Sequence, residues 1–198
     1  MARHVRGSLF SDYVRMMRHR KDVDWAGWIE PDDVEFLAGH IDPDGWYPMD
    51  TFERMGVAII EVVGAGDLES VRAWGSQSVE RLLAEHPKLL VADQPRESLM
   101  RFQTVRQTFF DFPAVTMREL SDLEARVVMA YGMGPRAEAA ASHQAMGFFE
   151  RLLQRAGAAP VEARFVRRSW AGDAETLLVL QWARPAADPG MPRAPRGM

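Results

Sequence analysis

Arg106 is a charged residue that the sequence places in the middle of an apolar helix face. Pro95 opens a predicted helix that runs to about Phe110, and at about 100° per residue Arg106 falls beside Gln103 inside its apolar stripe. That stripe consists of Leu99, Phe102, Phe109 and Phe110. A guanidinium keeps its proton in a protein, so burying Arg106 requires a partner.

Two roles for Arg106 satisfy that requirement. It can pair with an internal carboxylate, or extend to the helix edge as long cationic side chains commonly do. It can instead point into a pocket beside the following hairpin and bind an anionic ligand group, because its planar fork holds a carboxylate or phosphate through two hydrogen bonds. The ligand-binding residues predicted on the second interpretation are Arg106, Gln103, Tyr131 and Arg136.

Aromatic residues are concentrated before the third predicted helix. Trp46 and Tyr47 follow a strong turn signal, and Trp25 and Trp28 precede it. Such side chains can line a pocket or an interface, and Trp46 and Tyr47 are therefore added to the candidate ligand-binding residues. Packing in the core is the alternative.

Other kinds of chemistry lack the residues they need. The chain has no cysteine, which excludes disulfides, thiolate nucleophiles and cysteine-based metal sites. None of its histidines pairs at HxxxH or HxH spacing, no serine lies in GxSxG, and no glycine-rich loop carries GK[ST]. His143 falls opposite the core stripe of its predicted helix, so we expect it on the surface. The sequence thus predicts no metal site and a non-catalytic protein.

Composition is that of an ordinary soluble domain, with 47% hydrophobic and 26% charged residues among 198. A net charge of −4 argues against a general affinity for nucleic acid. The longest apolar run, Val57–Val63, is interrupted by Glu61 and is too short to cross a bilayer. We therefore expect a cytoplasmic protein with no membrane insertion.

The second half of the chain organises the predicted fold. Ser121-Asp122 begins a turn between two extended segments, and a long helix and two further strands follow. The predicted ranges are strands at Phe112–Leu120, Glu124–Tyr131, Val161–Trp170 and Glu175–Trp182, with a helix at Arg136–Ala156. Helices first and strands later indicate an α+β fold, in which N-terminal helices pack with a four-stranded antiparallel ββαββ sheet that carries one inserted helix.

The first half is predicted to be helical. Helices are expected at residues 8–18, at Pro31–Ala38, from an N-cap at Asp50 with Glu53 as its capping-box partner, from Asp67 to His86-Pro87, and from Pro95. Gly56 and Gly75 lie inside apolar stripes, which predicts that their two helices cross closely. Residues 1–183 are expected to form one domain, and the Pro-rich residues 184–198 a disordered tail.

Three segments of the chain are distinctive: Arg6-Gly7-Ser8-Leu9-Phe10, Gly45-Trp46-Tyr47-Pro48-Met49 and Met146-Gly147-Phe148-Phe149-Glu150-Arg151-Leu152-Leu153. They resemble an uncharacterised family that is abundant as paralogues in myxobacteria, itself distantly similar to haem nitric-oxide-binding and 4-vinyl-reductase-like domains. The resemblance implies the same helices-then-sheet fold. The haem proteins of that superfamily carry YxSxR after a strand, where this chain reads Tyr131-Gly132-Met133-Gly134-Pro135-Arg136. Their proximal histidine lies on the helix before the hairpin, and the segment Pro95–Phe110 has none.

The resemblance implies a small-molecule sensor or a protein-interaction domain in bacterial signalling. We therefore predict a non-catalytic module that binds an anionic or apolar small molecule without haem or another cofactor. A domain that self-associates or binds a signalling protein, with no ligand, is the alternative.

Overall fold

The computed structural model describes residues 2–183; the predicted tail at 184–198 lies outside them. Within residues 2–183 there are six helices and six strands, joined by loops and short 3-10 turns. The helices are α1 (Gly7–His19), α2 (Pro31–Ala38), α3 (Met49–Val62), α4 (Leu68–Glu85), α5 (Pro95–Val105) and α6 (Pro135–Arg155). The strands are β1 (His4–Arg6), β2 (Trp46–Pro48), β3 (Val115–Leu120), β4 (Glu124–Met129), β5 (Val161–Arg167) and β6 (Thr176–Trp182). Within this part of the chain, no helix combines the length and apolar character needed to span a bilayer.

The main sheet has the strand order β3-β4-β6-β5, and all its neighbours are antiparallel. Alternate residues of the two central strands face the core, among them Val127, Met129, Leu178 and Leu180, none of which is exposed to solvent. The helix α6, inserted between β4 and β5, lies between the sheet and α4. The predicted α+β fold with a ββαββ sheet is confirmed.

A second, two-stranded ribbon was not predicted. β1 and β2 pair antiparallel, with Val5 opposite Tyr47. Each strand has only three residues, too few for an alternating pattern to be visible in the sequence. The ribbon also explains why the predicted capping box at Asp50 and Glu53 is wrong. The backbone amide of Met49 donates to the carbonyl of Arg3 at 3.0 Å, and α3 begins at Met49 without a side-chain cap.

The close helix crossing exists, but between other helices than predicted. A Cβ placed on Gly75 of α4 would lie 1.9 Å from the carbonyl oxygen of Gln144 in α6, and one on Gly147 would lie 1.9 Å from that of Arg72. Gly75 and Gly147 thus let α4 and α6 touch through their backbones. Gly56 instead faces the ring of Tyr13, at 3.0 Å from such a Cβ.

His143 is not on the surface as expected. Its ring packs against Phe165 and Trp170, with centroids 5.1 and 6.0 Å apart, because α6 is covered on more than one side. A single core stripe therefore does not describe this helix. Burial lowers the pKa of His143, and its Nδ1 has no hydrogen-bond partner within the described residues.

Candidate functional site

An aromatic cavity lies between the helices and the main sheet, with a volume of about 150 Å³. Its walls come from α1, α3, α4, α5, α6 and the segment that leads into β3. Its apolar lining residues are Leu9, Tyr13, Phe52, Leu82, Phe102, Phe109, Phe110, Val115, Tyr131, Ala141, Ala145, Phe148 and Phe149. Thirteen apolar side chains with a few polar groups at one rim are the usual character of a small-molecule site.

Phe102 of α5 is the centre of the aromatic wall. Its ring lies 5.2 Å from those of both Phe148 and Phe149, which are themselves 5.4 Å apart and nearly perpendicular. Edge-to-face packing of this kind holds rings in fixed positions. Ala141 and Ala145 are four residues apart and therefore lie on the same face of α6. Both side chains are only methyl groups, so the open space lies beside them.

Polar groups form one rim of the aromatic cavity. Arg81 of α4 donates through two nitrogens to the carboxylate of Asp12 of α1. Burial raises the pKa of Asp12, against the opposing charge of Arg81. The hydroxyl of Tyr13 donates to Gln144 Oε1 at 3.1 Å, which leaves the amide nitrogen of Gln144 available as a donor. A ligand in this cavity would meet an aromatic interior and a polar mouth.

The structure does not bring the sequence-predicted ligand residues into one site. Tyr131 is 5% exposed and lines the aromatic cavity. Arg106 and Trp46 line a separate groove of about 400 Å³ on the other side of Phe110 and Val115, which contribute to both spaces. Gln103 is half-buried on α5 and lines neither space.

Arg136 and Tyr47 have structural partners of their own. Arg136 pairs with Glu61 at 2.7 Å and donates to the carbonyl of Gly66 at 2.8 Å, so it ties α6 to the end of α3. The ring of Tyr47 stacks on Phe10 at 4.5 Å, and its hydroxyl accepts a hydrogen bond from the Asp42 amide. Neither residue lines the aromatic cavity.

Sequence reasoning missed the rim and most of the wall. Asp12 and Arg81 are 69 positions apart, and no local pattern links them. Phe148 and Phe149 belong to the family-like segment that starts at Met146, and Phe102 belongs to the apolar stripe of the helix that starts at Pro95. Neither pattern shows that α5 and α6 leave space between them.

Comparison with solved structures shows what this arrangement resembles. An H-NOX protein from K. algicida, a mutant in the unliganded Fe(II) form, superposes with a TM-score of 0.63 at 10% identity, covering 91% of this chain and 98% of that one. A mutant of the T. Tengcongensis H-NOX gives 0.59 at 13%, covering 92% and 100%. The oxygen complex of an oxygen-binding H-NOX domain related to soluble guanylate cyclases gives 0.59 at 13%, covering 94% and 100%.

The chain has the H-NOX fold. No protein-family model matches its sequence, and no curated protein does. Identities of 10–13% establish the architecture alone, so whether the H-NOX fold here can hold a haem must be judged from its own residues.

The aromatic cavity does not fit a haem. None of the five histidines lines it, and α5, the helix that precedes the β3–β4 hairpin, contains no histidine. Of the lining oxygens, those of Asp12 are paired with Arg81, the phenol of Tyr13 donates to Gln144, and Glu85 is exposed; burial raises the pKa values of Tyr13 and Tyr131, which disfavours a phenolate on either. About 150 Å³ is the size of a cavity that accommodates one benzene ring, far below what a porphyrin fills. Across residues 2–183, no cluster of three or more metal-ligating side chains occurs either.

Proposed function

We propose that this chain is a non-catalytic sensor module of bacterial signalling, which binds a small apolar molecule in the aromatic cavity without haem. The observation that carries the proposal is the cavity itself, about 150 Å³ in volume and walled by aromatic rings in fixed positions. An apolar interior of that size accommodates benzene-sized molecules, because a ligand gains the dispersion contacts that the empty space lacks.

A signalling role is supported by the fold and by where the walls come from. One structural neighbour is an oxygen-binding H-NOX domain related to soluble guanylate cyclases. Here the ligand would touch both the N-terminal helices and α6, so occupancy can bias how the two halves pack. It does so only to the extent that it binds one packing more tightly than the other.

The absence of an assembled acid–base pair among the lining residues supports a non-catalytic role. The acidic groups at the rim are Asp12, held by Arg81, and Glu85. Tyr13 is held by Gln144, and burial keeps its proton in place by raising the pKa. None of these side chains forms a nucleophile and base within hydrogen-bonding reach of one another, which acid–base or covalent catalysis needs.

A thermal-shift titration with toluene and indole tests this function. At ten times the dissociation constant, a ligand stabilises the folded state by roughly 1.4 kcal/mol, which raises the Tm of a domain of this size by about 3–6 °C. The variant Ala145→Leu fills the space beside α6 and should abolish the shift. Ala73→Leu changes an exposed alanine of α4 outside the cavity and should preserve it.

Two results would contradict the proposal. One is a wild-type protein that no member of the panel stabilises. The other is equal stabilisation of the wild type and Ala145→Leu, which would place the ligand elsewhere. Native mass spectrometry of the freshly purified protein provides an independent readout, because a ligand retained from the cell adds its own mass.

A further inference from the structure

The groove that contains Arg106 is a second concavity, separate from the aromatic cavity and independent of the function proposed for it. It lies between Trp46 of β2 and the segment that links α5 to β3, with a volume of about 400 Å³. Its lining residues are Trp46, Arg106, Gln107, Phe110, Asp111, Phe112, Pro113, Ala114 and Val115. We call this space the Arg106 groove.

Arg106 has no counter-ion in the described part of the chain. Its Nη1 donates to the carbonyl oxygen of Val115 at 2.6 Å, and its Nε is shielded from water with no acceptor. A guanidinium stays charged under all physiological conditions, and a half-buried one with a single neutral acceptor lacks the partner that would offset its desolvation. The internal carboxylate that the sequence allowed for is therefore not found in residues 2–183.

The carboxylate of Asp111, which lines the groove, and that of Asp44, which pairs with Arg6 opposite Trp46, are already engaged. Both oxygens of Asp111 accept from His4, one from the backbone amide at 2.8 Å and the other from the ring at 2.7 Å. The carboxylate of Asp44 accepts from Arg6 at 2.8 Å. Neither is left over to neutralise Arg106.

Aromatic rings line the groove beside Arg106, and two further arginines lie against those rings. Trp46 is 44% exposed, with the guanidinium of Arg6 5.1 Å from its ring centroid. Arg3 lies 5.3 Å from the centroid of Phe112 and donates to backbone carbonyls rather than to a carboxylate. Counting the two arginines against its aromatic lining, the Arg106 groove has three cations for the two carboxylates of Asp111 and Asp44, beside apolar ring surface, which suits an anion that carries a ring of its own.

We propose that the Arg106 groove binds a small aromatic carboxylate. Because Val115 occupies Nη1, the carboxylate takes the remaining Nε and Nη2 edge of Arg106, after a rotation of the side chain that brings Nε to the groove surface. The ring of the ligand lies against Trp46, and the amide of Gln107 is within the groove as a further donor.

Benzoate and benzyl alcohol are the matched probes for this site, because they share a ring and differ in charge. In an ¹⁵N NMR titration of the wild type, benzoate should shift the Arg106 Nε–Hε resonance and the Trp46 indole resonance along one saturable curve. Benzyl alcohol should leave the Arg106 resonance in place. The Nε–Hε resonance of Arg96, an exposed residue at the start of α5, is the internal control.

Variants separate this site from the aromatic cavity. Arg106→Met should weaken benzoate binding about tenfold or more, the loss expected for hydrogen bonds to a charged group, whereas Arg96→Met should not. Ala145→Leu, which closes the aromatic cavity, should bind benzoate with unchanged affinity. If the function proposed for the aromatic cavity is wrong, toluene does not bind. If the Arg106 site is wrong, benzoate does not bind, so the two failures can be told apart.

The proposal is overturned if benzoate leaves the Arg106 Nε–Hε resonance unmoved, if benzyl alcohol moves it equally, or if Arg106→Met binds benzoate as tightly as the wild type. Should Arg106→Met fail to fold, the wild-type titration decides alone, because it requires no variant.

Discussion

Asp33 and Arg106 are charged groups that the fold treats in opposite ways. Asp33 is 1% exposed and fully engaged: Thr51 and Arg54 Nε each donate to it at 2.6 Å, and Arg54 Nη2 donates at 2.8 Å. Burial raises the pKa of Asp33, but the hydrogen bonds from Arg54 and Thr51 outweigh it and leave the pKa below its usual value. Arg106 has one carbonyl acceptor and, within residues 2–183, no carboxylate.

This contrast predicts different costs for two chemically identical substitutions. Arg54→Met should lower the free energy of unfolding by about 2–3 kcal/mol, because it leaves a buried carboxylate without its cation, although Arg54 itself is partly solvated. Arg106→Met should change it by no more than about 1 kcal/mol, because the loss of one hydrogen bond to a neutral carbonyl is offset by removal of an uncompensated, half-buried charge. Urea denaturation of both variants at pH 7 measures the difference. Equal destabilisation by the two would mean that Arg106 has a structural partner after all.

At the scale of elements, the α4–α6 crossing is the tightest contact between helices. Gly75 and Gly147 face the partner backbone, and the hydroxyl of Ser76 donates to the carbonyl of Gly147 at 3.0 Å. Arg72 and Glu150 pair across the same crossing, with Nε to Oε2 at 2.7 Å. The crossing fixes α6, which provides Ala141, Ala145 and the phenylalanine pair to the aromatic cavity.

Gly75→Ala should therefore destabilise the protein, even though alanine is the better helix former. Its methyl group would meet a backbone oxygen rather than a flexible side chain, and α4 would have to move away from α6. Overpacking of this kind costs about 1–3 kcal/mol. Gly27→Ala is the control, since nothing lies within 4 Å of a Cβ there. A urea midpoint for Gly75→Ala equal to that of the wild type would show that the helices separate freely.

Sequence patterns predicted most of the elements but not their ends. The helix predicted to start at Asp67 does so: Asp67 caps α4 and accepts from the amides of Glu69 and Ser70, which is a local interaction. The helix from Pro95 was predicted to reach Phe110, yet α5 ends at Val105. The Phe109 carbonyl accepts from Arg6, and Asp111 donates to His4, so contacts with β1, far away in the sequence, pull this segment out of the helix. No periodicity in the segment itself reports such contacts.

That helix end also decides what Arg106 meets. Arg106 keeps helical dihedral angles at the end of α5, and its amide still donates to the carbonyl of Phe102. The chain continues from there through the 3-10 turn Arg106–Thr108, so the guanidinium reaches the carbonyl of Val115, and the Arg106 groove opens beside it. The guanidinium of Arg106 still needs a partner, because that need depends on the residue type rather than on the helix.

At the scale of the whole molecule, the aromatic cavity is a property of assembly. Its lining residues range from Ser8 to Phe149, and the local sequence around each one predicts only an ordinary core or surface position. The sequence could predict the phenylalanines and the small alanines of α6, but not that packing leaves about 150 Å³ between them. At 10–13% identity, the likeness to H-NOX structures establishes the fold of this chain. It does not establish which ligand the fold holds, because one fold can serve several ligands.

The prediction that tests this separation is that the protein does not take up haem. No histidine lines the aromatic cavity, and Phe102, Phe148 and Phe149 occupy the space beside α5 and α6. Inserting a porphyrin would require displacing several packed rings, each of which contributes to the core. Titration of the wild type with hemin, in the ferric state and after reduction, should therefore give only the broad absorbance of hemin that adheres to apolar surface. The variant Ala145→Leu should give the same broad absorbance. A sharp Soret band that saturates at one hemin per chain and disappears when a single histidine is replaced would refute the prediction, and with it the apolar ligand proposed for the aromatic cavity.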